Sequence, residues 1–238
     1  MVDDSMPEQM ESAAANYEPW HSRHRLQDAI ACIYSPRPAP HVVSLRSRDL
    51  LYDFAARTIG NTPVRYLEFG VAGGKSMRLM TERFAHPDAR FFGFDCFEGI
   101  PEGWKDKPAG SFSMRGKMPV MTDKRVGLIK GYFQDSLPDF ISNFVCPAAS
   151  PVLVHYDADL YSSTLFILST LWPRLSEYYF LFDEFMSDEI IAFHDFTQAY
   201  PVDFEFLCRT SDAAPRQVFG RLKRRTFAER LAIPRTPA

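Results

Sequence analysis

Apolar residues in this chain follow two periodicities that alternate from about residue 44 to residue 222. Leu45, Leu50, Leu51, Phe54, Ala55 and Ile59 recur at three- and four-residue steps, the spacing of one helix face, and predict a helix over 44–59. Gly60-Asn61-Thr62-Pro63 supplies its stop. Short apolar runs at 64–69, 90–94, 127–130, 152–156 and 178–182 predict strands, and the stretches 75–84, 162–175 and 188–199 predict helices. Strands that alternate with helices are the signature of a parallel sheet with crossover helices. Residues 203–209 and 217–222 predict two more strands. Their link, Ser211-Asp212-Ala213-Ala214-Pro215, is turn-forming and too short for anything but an antiparallel pair. The expected fold is therefore α/β, a doubly wound, mostly parallel sheet ending in a C-terminal antiparallel hairpin.

Two regions lack these patterns. Residues 1–25 are polar with little apolar periodicity and predict an arm leading into a first helix. Residues 101–126, with Gly103, Gly110, Gly116, Pro101, Pro108 and Pro119, read as a long loop; in a compact domain such a loop is more often a lid or binding loop than filler. The division expected is an N-terminal arm and helix at 1–43, an α/β domain at 44–225 and a basic tail at 226–238.

Composition narrows the partners. With 46% hydrophobic and 24% charged residues in 238, the chain can bury one full core, which excludes a disordered or fibrous protein. Twenty-seven Lys and Arg against 30 Asp and Glu give a net charge of -3, so no overall field attracts a polyanion and nucleic acid is not an expected partner. The exception is local: Arg216, Arg221, Lys223, Arg224, Arg225, Arg230 and Arg235 face only Glu229, a solvated end or a dock for an acidic partner. Cys32, Cys96, Cys146 and Cys208 have neither metal-knuckle nor disulfide spacing and fit a reducing cytoplasm. The start has no apolar h-region and no segment approaches 18 apolar residues, so neither secretion nor membrane contact is expected. Association into a homo-oligomer is left open.

The first predicted strand of the sheet runs directly into Glu68-Phe69-Gly70-Val71-Ala72-Gly73-Gly74-Lys75-Ser76, where backbone can approach a ligand closely. A phosphate-binding loop would need glycine at Phe69, and a dinucleotide fingerprint would need it at Ala72 and Lys75. What remains is an acid two positions before a glycine, followed by a small-residue turn. Asp95, closing the second strand, stands where an acid accepts hydrogen bonds from both ribose hydroxyls. Two acids so placed suit an adenosine bearing a cationic amino-acid tail, against the plainer alternative of an ordinary strand-to-helix turn.

At these residues the sequence resembles the class I S-adenosylmethionine-dependent methyltransferases, and more narrowly the macrocin O-methyltransferase family. The resemblance lies in Tyr66-Leu67-Glu68-Phe69-Gly70-Val71-Ala72-Gly73-Gly74-Lys75-Ser76, Gly93-Phe94-Asp95-Cys96-Phe97-Glu98-Gly99-Ile100-Pro101, Gly131-Tyr132-Phe133-Gln134-Asp135-Ser136-Leu137-Pro138 and Asp157-Ala158-Asp159-Leu160-Tyr161-Ser162-Ser163-Thr164. It implies a seven-stranded sheet whose last two strands form the hairpin. It also implies S-adenosylmethionine as cofactor. Glu68, Gly70 and Gly73, with Val71 and Ser76 in the same turn, would surround its methionine part, and Asp95 would hold its ribose. Phe97, Gly131, Tyr132 and Phe133 would lie near its adenine, the phenylalanines being open to a plain packing role.

Asp157, Asp159, Asp183 and Glu184 follow the fourth and fifth strands and should converge on the crevice outside the strand ends. Such acids repel unless a cation or donor sits among them, and oxygen ligands of this kind suit Mg2+. The resemblance implies a magnesium site of Asp159 (alternatively Asp157), Asp183 and Glu184. The family's Asp-Asp-Tyr, however, is here Asp183-Glu184-Phe185, and its preceding Gly-Gly is Tyr178-Tyr179. For proton transfer the candidates are Asp157, His155 two residues before it on the strand, and His194 beside Asp195. A buried, hydrogen-bonded structural histidine is the commoner outcome for His155, and a solvated helix position for His194. His21, His24, His41 and His86 carry no motif. The activity implied is O-methyl transfer to a hydroxyl of a small, sugar- or polyketide-derived acceptor. The alternatives are a metal-independent methyltransferase of the same fold with another nucleophile, and a non-catalytic cofactor-binding partner protein.

Overall fold

A computed structural model of the chain describes residues 25–31, 33, 42–210 and 216–226. His21, His24, His41, Cys32, the turn at 211–215 and the tail residues Glu229, Arg230 and Arg235 lie outside these. The chain divides into two units, 1–37 and 38–238. In the first, residues 25–31 form a helix, α1.

The second unit runs β1 (Val43–Leu45), α2 (Arg48–Ile59), β2 (Arg65–Phe69), α3 (Lys75–Arg83), β3 (Arg90–Asp95), β4 (Val126–Lys130) and α4 (Phe133–Asn143). It continues with β5 (Val152–Tyr156), α5 (Tyr161–Leu171), β6 (Glu177–Phe182), α6 (Asp188–Ala199), β7 (Val202–Thr210) and β8 (Val218–Arg224). These strands make one eight-stranded sheet in the order β1-β7-β8-β6-β5-β2-β3-β4. Pairing is parallel except where β8 runs antiparallel to β6 and β7. The seven expected strands and the hairpin are present, and β1 is an addition.

Burial explains the strand assignments. Every residue of β5, Val-Leu-Val-His-Tyr, is buried, as a central strand covered on both faces requires. One face packs Tyr52, Tyr66, Phe91, Leu153, Leu181 and Phe219 into a shared cluster. On β6, α6 and the link between them, Phe180, Phe182, Phe185 and Phe193 pack with ring centroids 4.9–5.7 Å apart, the offset and edge contacts aromatic rings prefer.

The helix expected over 44–59 starts later, at Arg48. Val43, Ser44 and Leu45 pair with Cys208, Arg209 and Thr210 of β7, and Ser47 then caps the helix by accepting from the Leu50 N–H at 3.3 Å. Gly60, at φ +77°, closes the other end as expected. Helix α4 has no counterpart in the expected elements because Pro138 lies inside it, past the first turn, where proline ordinarily breaks a helix. Leu137 and Ile141 nevertheless give it a buried face.

Beyond the three residues that meet β1, β7 carries Asp203 and Glu205, ion-paired to Arg225 just after β8 at 2.6 Å and to Arg221 of β8 at 2.9 Å. Among the described residues no helix is long and apolar enough to cross a membrane, and Cys96, Cys146 and Cys208 are free thiols.

Candidate functional site

The chain order reverses between β2 and β5. From β2 it winds outward through β3 to β4, then returns to β5 and β6 on the other side. Ligand crevices of open α/β sheets lie outside the strand ends at such a point. A cavity of about 350 Å³ opens there, within the size range of small-molecule sites.

One wall is the glycine turn. Gly70 has φ +100°, and a Cβ built on it would lie under 3.0 Å from the Asp157 carbonyl oxygen. Its N–H donates to Phe94 O at 3.0 Å, while Asp157 N–H donates to Phe69 O at 2.9 Å. The turn is thus clamped between the ends of β3 and β5 in a conformation only glycine fills without strain. Asp95 braces the same region: its Oδ2 accepts from the Ala72 N–H at 2.7 Å and its Oδ1 from the Phe97 N–H at 2.6 Å. Ala72 and Phe97 both hold positive φ, 42° and 60°. A carboxyl group has more acceptor sites than the two these N–H groups occupy, so Asp95 keeps capacity toward the cavity it lines. Tyr132 and Phe133 at the start of α4, with Trp104 and Phe112 from the loop after β3, give the cavity its aromatic side.

The cavity brings together Gly70, Asp95, Gly131, Tyr132, Phe133, Asp157, Asp159, Asp183 and Glu184. Glu68, Val71, Gly73, Ser76, Phe97, His155 and His194 are not on its wall. Val71 and Phe97 are buried in the core cluster, and Gly73 is exposed on the turn. Glu68 lies fully buried beneath the turn, where its Oε1 accepts from Ser76 Oγ at 2.6 Å and its Oε2 from the Tyr66 hydroxyl at 2.7 Å. Burial pushes its carboxyl up to about 7, against the two hydrogen bonds that favour the ionised form. His155 Nδ1 is 2.7 Å from the Tyr66 oxygen. With that hydroxyl donating to Glu68, the histidine is the donor at Nδ1, leaving Nε2 without a partner. Burial and the Arg48 charge lower its pKa to about 3, so it is neutral. His194 pairs with Asp195 on α6, Nδ1 to Oδ1 at 3.3 Å, and Asp195 Oδ2 accepts from the Tyr161 hydroxyl at 2.8 Å.

The opposite wall is acidic. Burial raises Asp157 strongly, reinforced by Asp183 and Asp159. It raises Asp159 to about 6, with Glu184 adding and Lys105 opposing, and Asp183 to about 6 against the pull of Arg48. Beneath them Glu189 is fully buried and accepts the Glu184 N–H at 3.1 Å, tying the end of β6 to α6.

Side-chain cations already engage this wall. Arg48 Nη1 lies 3.1 Å from Asp183 Oδ2, and Lys105 and Arg216 lie 3.8 and 3.9 Å from the two Glu184 oxygens. Among the described residues no three acids, histidines or cysteines converge as metal ligands would. So arranged, Asp159, Asp183 and Glu184 do not fit a divalent ion. Arg48 and Glu189 escaped the sequence reading. A cation in the first turn of a helix opposes the helix dipole, and that anomaly at Arg48 was the available signal.

A switch-point crevice with a glycine turn after one strand, an acid after the next and an antiparallel C-terminal pair defines a class I methyltransferase site. No family model matches the chain. It is 30% identical over 192 residues to the 8-demethyl-8-(2,3-dimethoxy-alpha-L-rhamnosyl)-tetracenomycin-C 4'-O-methyltransferase of Streptomyces olivaceus, covering 70% of this chain and 71% of the relative. The O-methyltransferase NovP shares its fold with a TM-score of 0.51 and 22% identity over 75% of this chain and 80% of NovP. More distant is TomG of Streptomyces achromogenes, solved with S-adenosylmethionine, at a TM-score of 0.47 and 15% identity over 92% of this chain and all of TomG. The chain belongs to the S-adenosylmethionine-dependent O-methyltransferases, the family of its Streptomyces olivaceus relative.

Proposed function

We propose that this methyltransferase moves the methyl group of S-adenosylmethionine to a hydroxyl on the sugar of a glycosylated, polyketide-derived small molecule. The observation that carries the reaction is the contact of Gly70 with Asp157. The turn assigned to the methionine part of the cofactor abuts the backbone of a cavity-wall carboxylate that binds protons unusually well. Methyl transfer from a sulfonium is an in-line displacement, so aligning donor and oxygen supplies much of the rate and a nearby base removes one proton. Asp157 is that base in this reading. The neutral, buried His155 and His194, which is off the cavity wall, are not needed.

The sugar hydroxyl comes from the relative, which is a 4'-O-methyltransferase of a rhamnosyl tetracenomycin. Asp95 and the aromatic side support the cofactor half of the site. Mg2+ enters no step, because Asp183 and Glu184 are engaged by Arg48, Lys105 and Arg216. The partner is a small acceptor rather than nucleic acid or membrane, and a reducing cytoplasm suits the free thiols.

The test is a mass-spectrometric turnover assay with S-adenosylmethionine and a panel of rhamnosylated aromatic polyketides, their aglycones and matched amines. A mass gain of one methyl on the sugar, lost at least about a hundredfold in Asp157→Asn while S-adenosylhomocysteine still binds, is expected. Methylation of the amines alone, or cofactor binding with no turnover on any acceptor, would overturn the reading.

A further inference from the structure

Arg48 is placed against its local preference. It is the first residue of α2, where a cation opposes the helix dipole, and its neighbour Asp49 occupies the more favoured role there. Its half-exposed side chain nevertheless reaches the rim of the crevice and places Nη1 3.1 Å from Oδ2 of Asp183, whose side chain is 6% exposed. The other Asp183 oxygen, Oδ1, is buried, and the buried Tyr52 hydroxyl adds to the pull of Arg48 toward the ionised form. A buried charge without compensation is costly, so the guanidinium, with the Tyr52 hydroxyl in support, favours the ionised carboxylate at the cavity wall. Arg48 lines the same cavity as Asp157 and Asp159. A guanidinium presents five N–H donors in a rigid fork, so the bond to Asp183 leaves others for a ligand in that cavity.

We propose that Arg48 is the electrophilic residue of methyl transfer, the chain's own cation at the acidic rim in the position a set of free carboxylates would give to a divalent ion. It donates to the acceptor hydroxyl oxygen and stabilises the negative charge that develops there. This rests on the O-methyl transfer read above. As the new O–CH3 bond forms, the S–CH3 bond breaks, its electron pair stays on sulfur and the sulfonium becomes a neutral thioether. The hydroxyl proton passes to the Asp157 carboxylate and then to solvent, while Arg48 stays protonated throughout. Asp183 is a positioning residue, aiming the fork, and touches no reacting atom.

The experiment has one arm that needs no acceptor. Mn2+ is titrated into the wild type, Arg48→Ala and Arg48→Lys and followed by electron paramagnetic resonance. The wild type and the lysine variant should bind Mn2+ only at millimolar levels, and Arg48→Ala at least about tenfold more tightly, because a cation has left the carboxylates. Calorimetry with S-adenosylhomocysteine and thermal melting verify that each variant is folded and binds cofactor. In the second arm, turnover of whichever acceptor the panel yields should be unaffected by EDTA or added Mg2+. It should fall about a hundredfold in kcat in Arg48→Gln, the cost of removing one charge-stabilising donor. Tight Mn2+ binding by the wild type, restoration of EDTA-treated enzyme by Mg2+, or a near-normal kcat in Arg48→Gln would each overturn the proposal. If no acceptor in the panel is turned over, the O-methyl reading fails, while the Mn2+ titration still decides whether Arg48 holds the cation position.

Discussion

The sharpest quantitative consequence of the buried network concerns Glu68→Gln, a change that keeps shape and removes a titratable group. Burial raises the folded carboxyl from its ordinary 4.5 to about 7. Between those values the folded protein holds a proton that the unfolded chain releases, so the contribution of Glu68 to stability falls as pH rises through the window and levels off above about 7. At about 1.4 kcal/mol per pH unit, the loss across the window is about 3 kcal/mol. His155 acts with the opposite sign. Its folded pKa is lowered to about 3, so its contribution is present above the ordinary 6.5 and is lost as pH falls. In the wild type the two slopes oppose one another between about pH 4.5 and 6.5, and the variant leaves the histidine slope exposed. Glutamine can still accept from Ser76 and donate to the Tyr66 oxygen, whose hydroxyl then turns to a His155 Nδ1 that carries no proton. Urea unfolding of both proteins from pH 4.5 to 8 reads the difference directly. Asp159 and Asp183, raised in both proteins, drop out of it. The variant should gain about 3 kcal/mol on the wild type across that range. A difference that stays constant within about 1 kcal/mol would mean that Glu68 is ionised throughout, and the burial argument would be wrong.

Asp95→Ala removes the acceptors of two backbone N–H groups along with those offered to the ribose, and should weaken S-adenosylhomocysteine at least about tenfold by calorimetry; unchanged affinity would remove Asp95 from the cofactor site. Gly70→Ala forces a Cβ into the Asp157 carbonyl at a positive φ and should lower stability by about 3 kcal/mol or more in urea, a near-normal midpoint being the contrary result. The loop carrying Trp104 and Phe112 is latched to the rim by Lys105 on Glu184 and by Ser162 Oγ donating to Glu102. Trypsin should cut it at Lys105, Arg115 or Lys117 in the free enzyme and more slowly with S-adenosylhomocysteine bound. Equal rates would make it an ordinary surface loop.

What the sequence disclosed follows from where information is local. β5 is legible because a strand buried on both faces writes its burial into five consecutive residues, and the glycine turn because backbone crowding demands a particular residue. β1 is illegible because its three residues are strand only through their pairing with β7, more than 160 positions away. α4 hides behind Pro138, whose local meaning was overridden by the packing of Leu137 and Ile141. At the site, the convergence of Asp157, Asp159, Asp183 and Glu184 on one crevice followed from strand order. What compensates them did not, since the Arg48 contact with Asp183 joins residues far apart in the chain. Glu68 shows the same limit. Its position two residues before Gly70 was visible, yet the sheet turns its carboxylate inward to Tyr66 and Ser76 rather than toward the cavity.

The outer border of the sheet bears on how the chain can be handled. β7 is nine residues long, and an unpaired strand of that length is a template for another molecule's strand. Its two halves are guarded by different means, Cys208–Thr210 by the short β1 and the stretch around Asp203 and Glu205 by charge. Shortening the protein from the front past Leu45 would leave the charged half protected and uncover the other, whose Cys208 is buried in the core cluster. Such a truncation would be lost first as aggregate during expression, before any effect on catalysis could be measured, so versions intended for crystallisation or assay should retain residues 42–47.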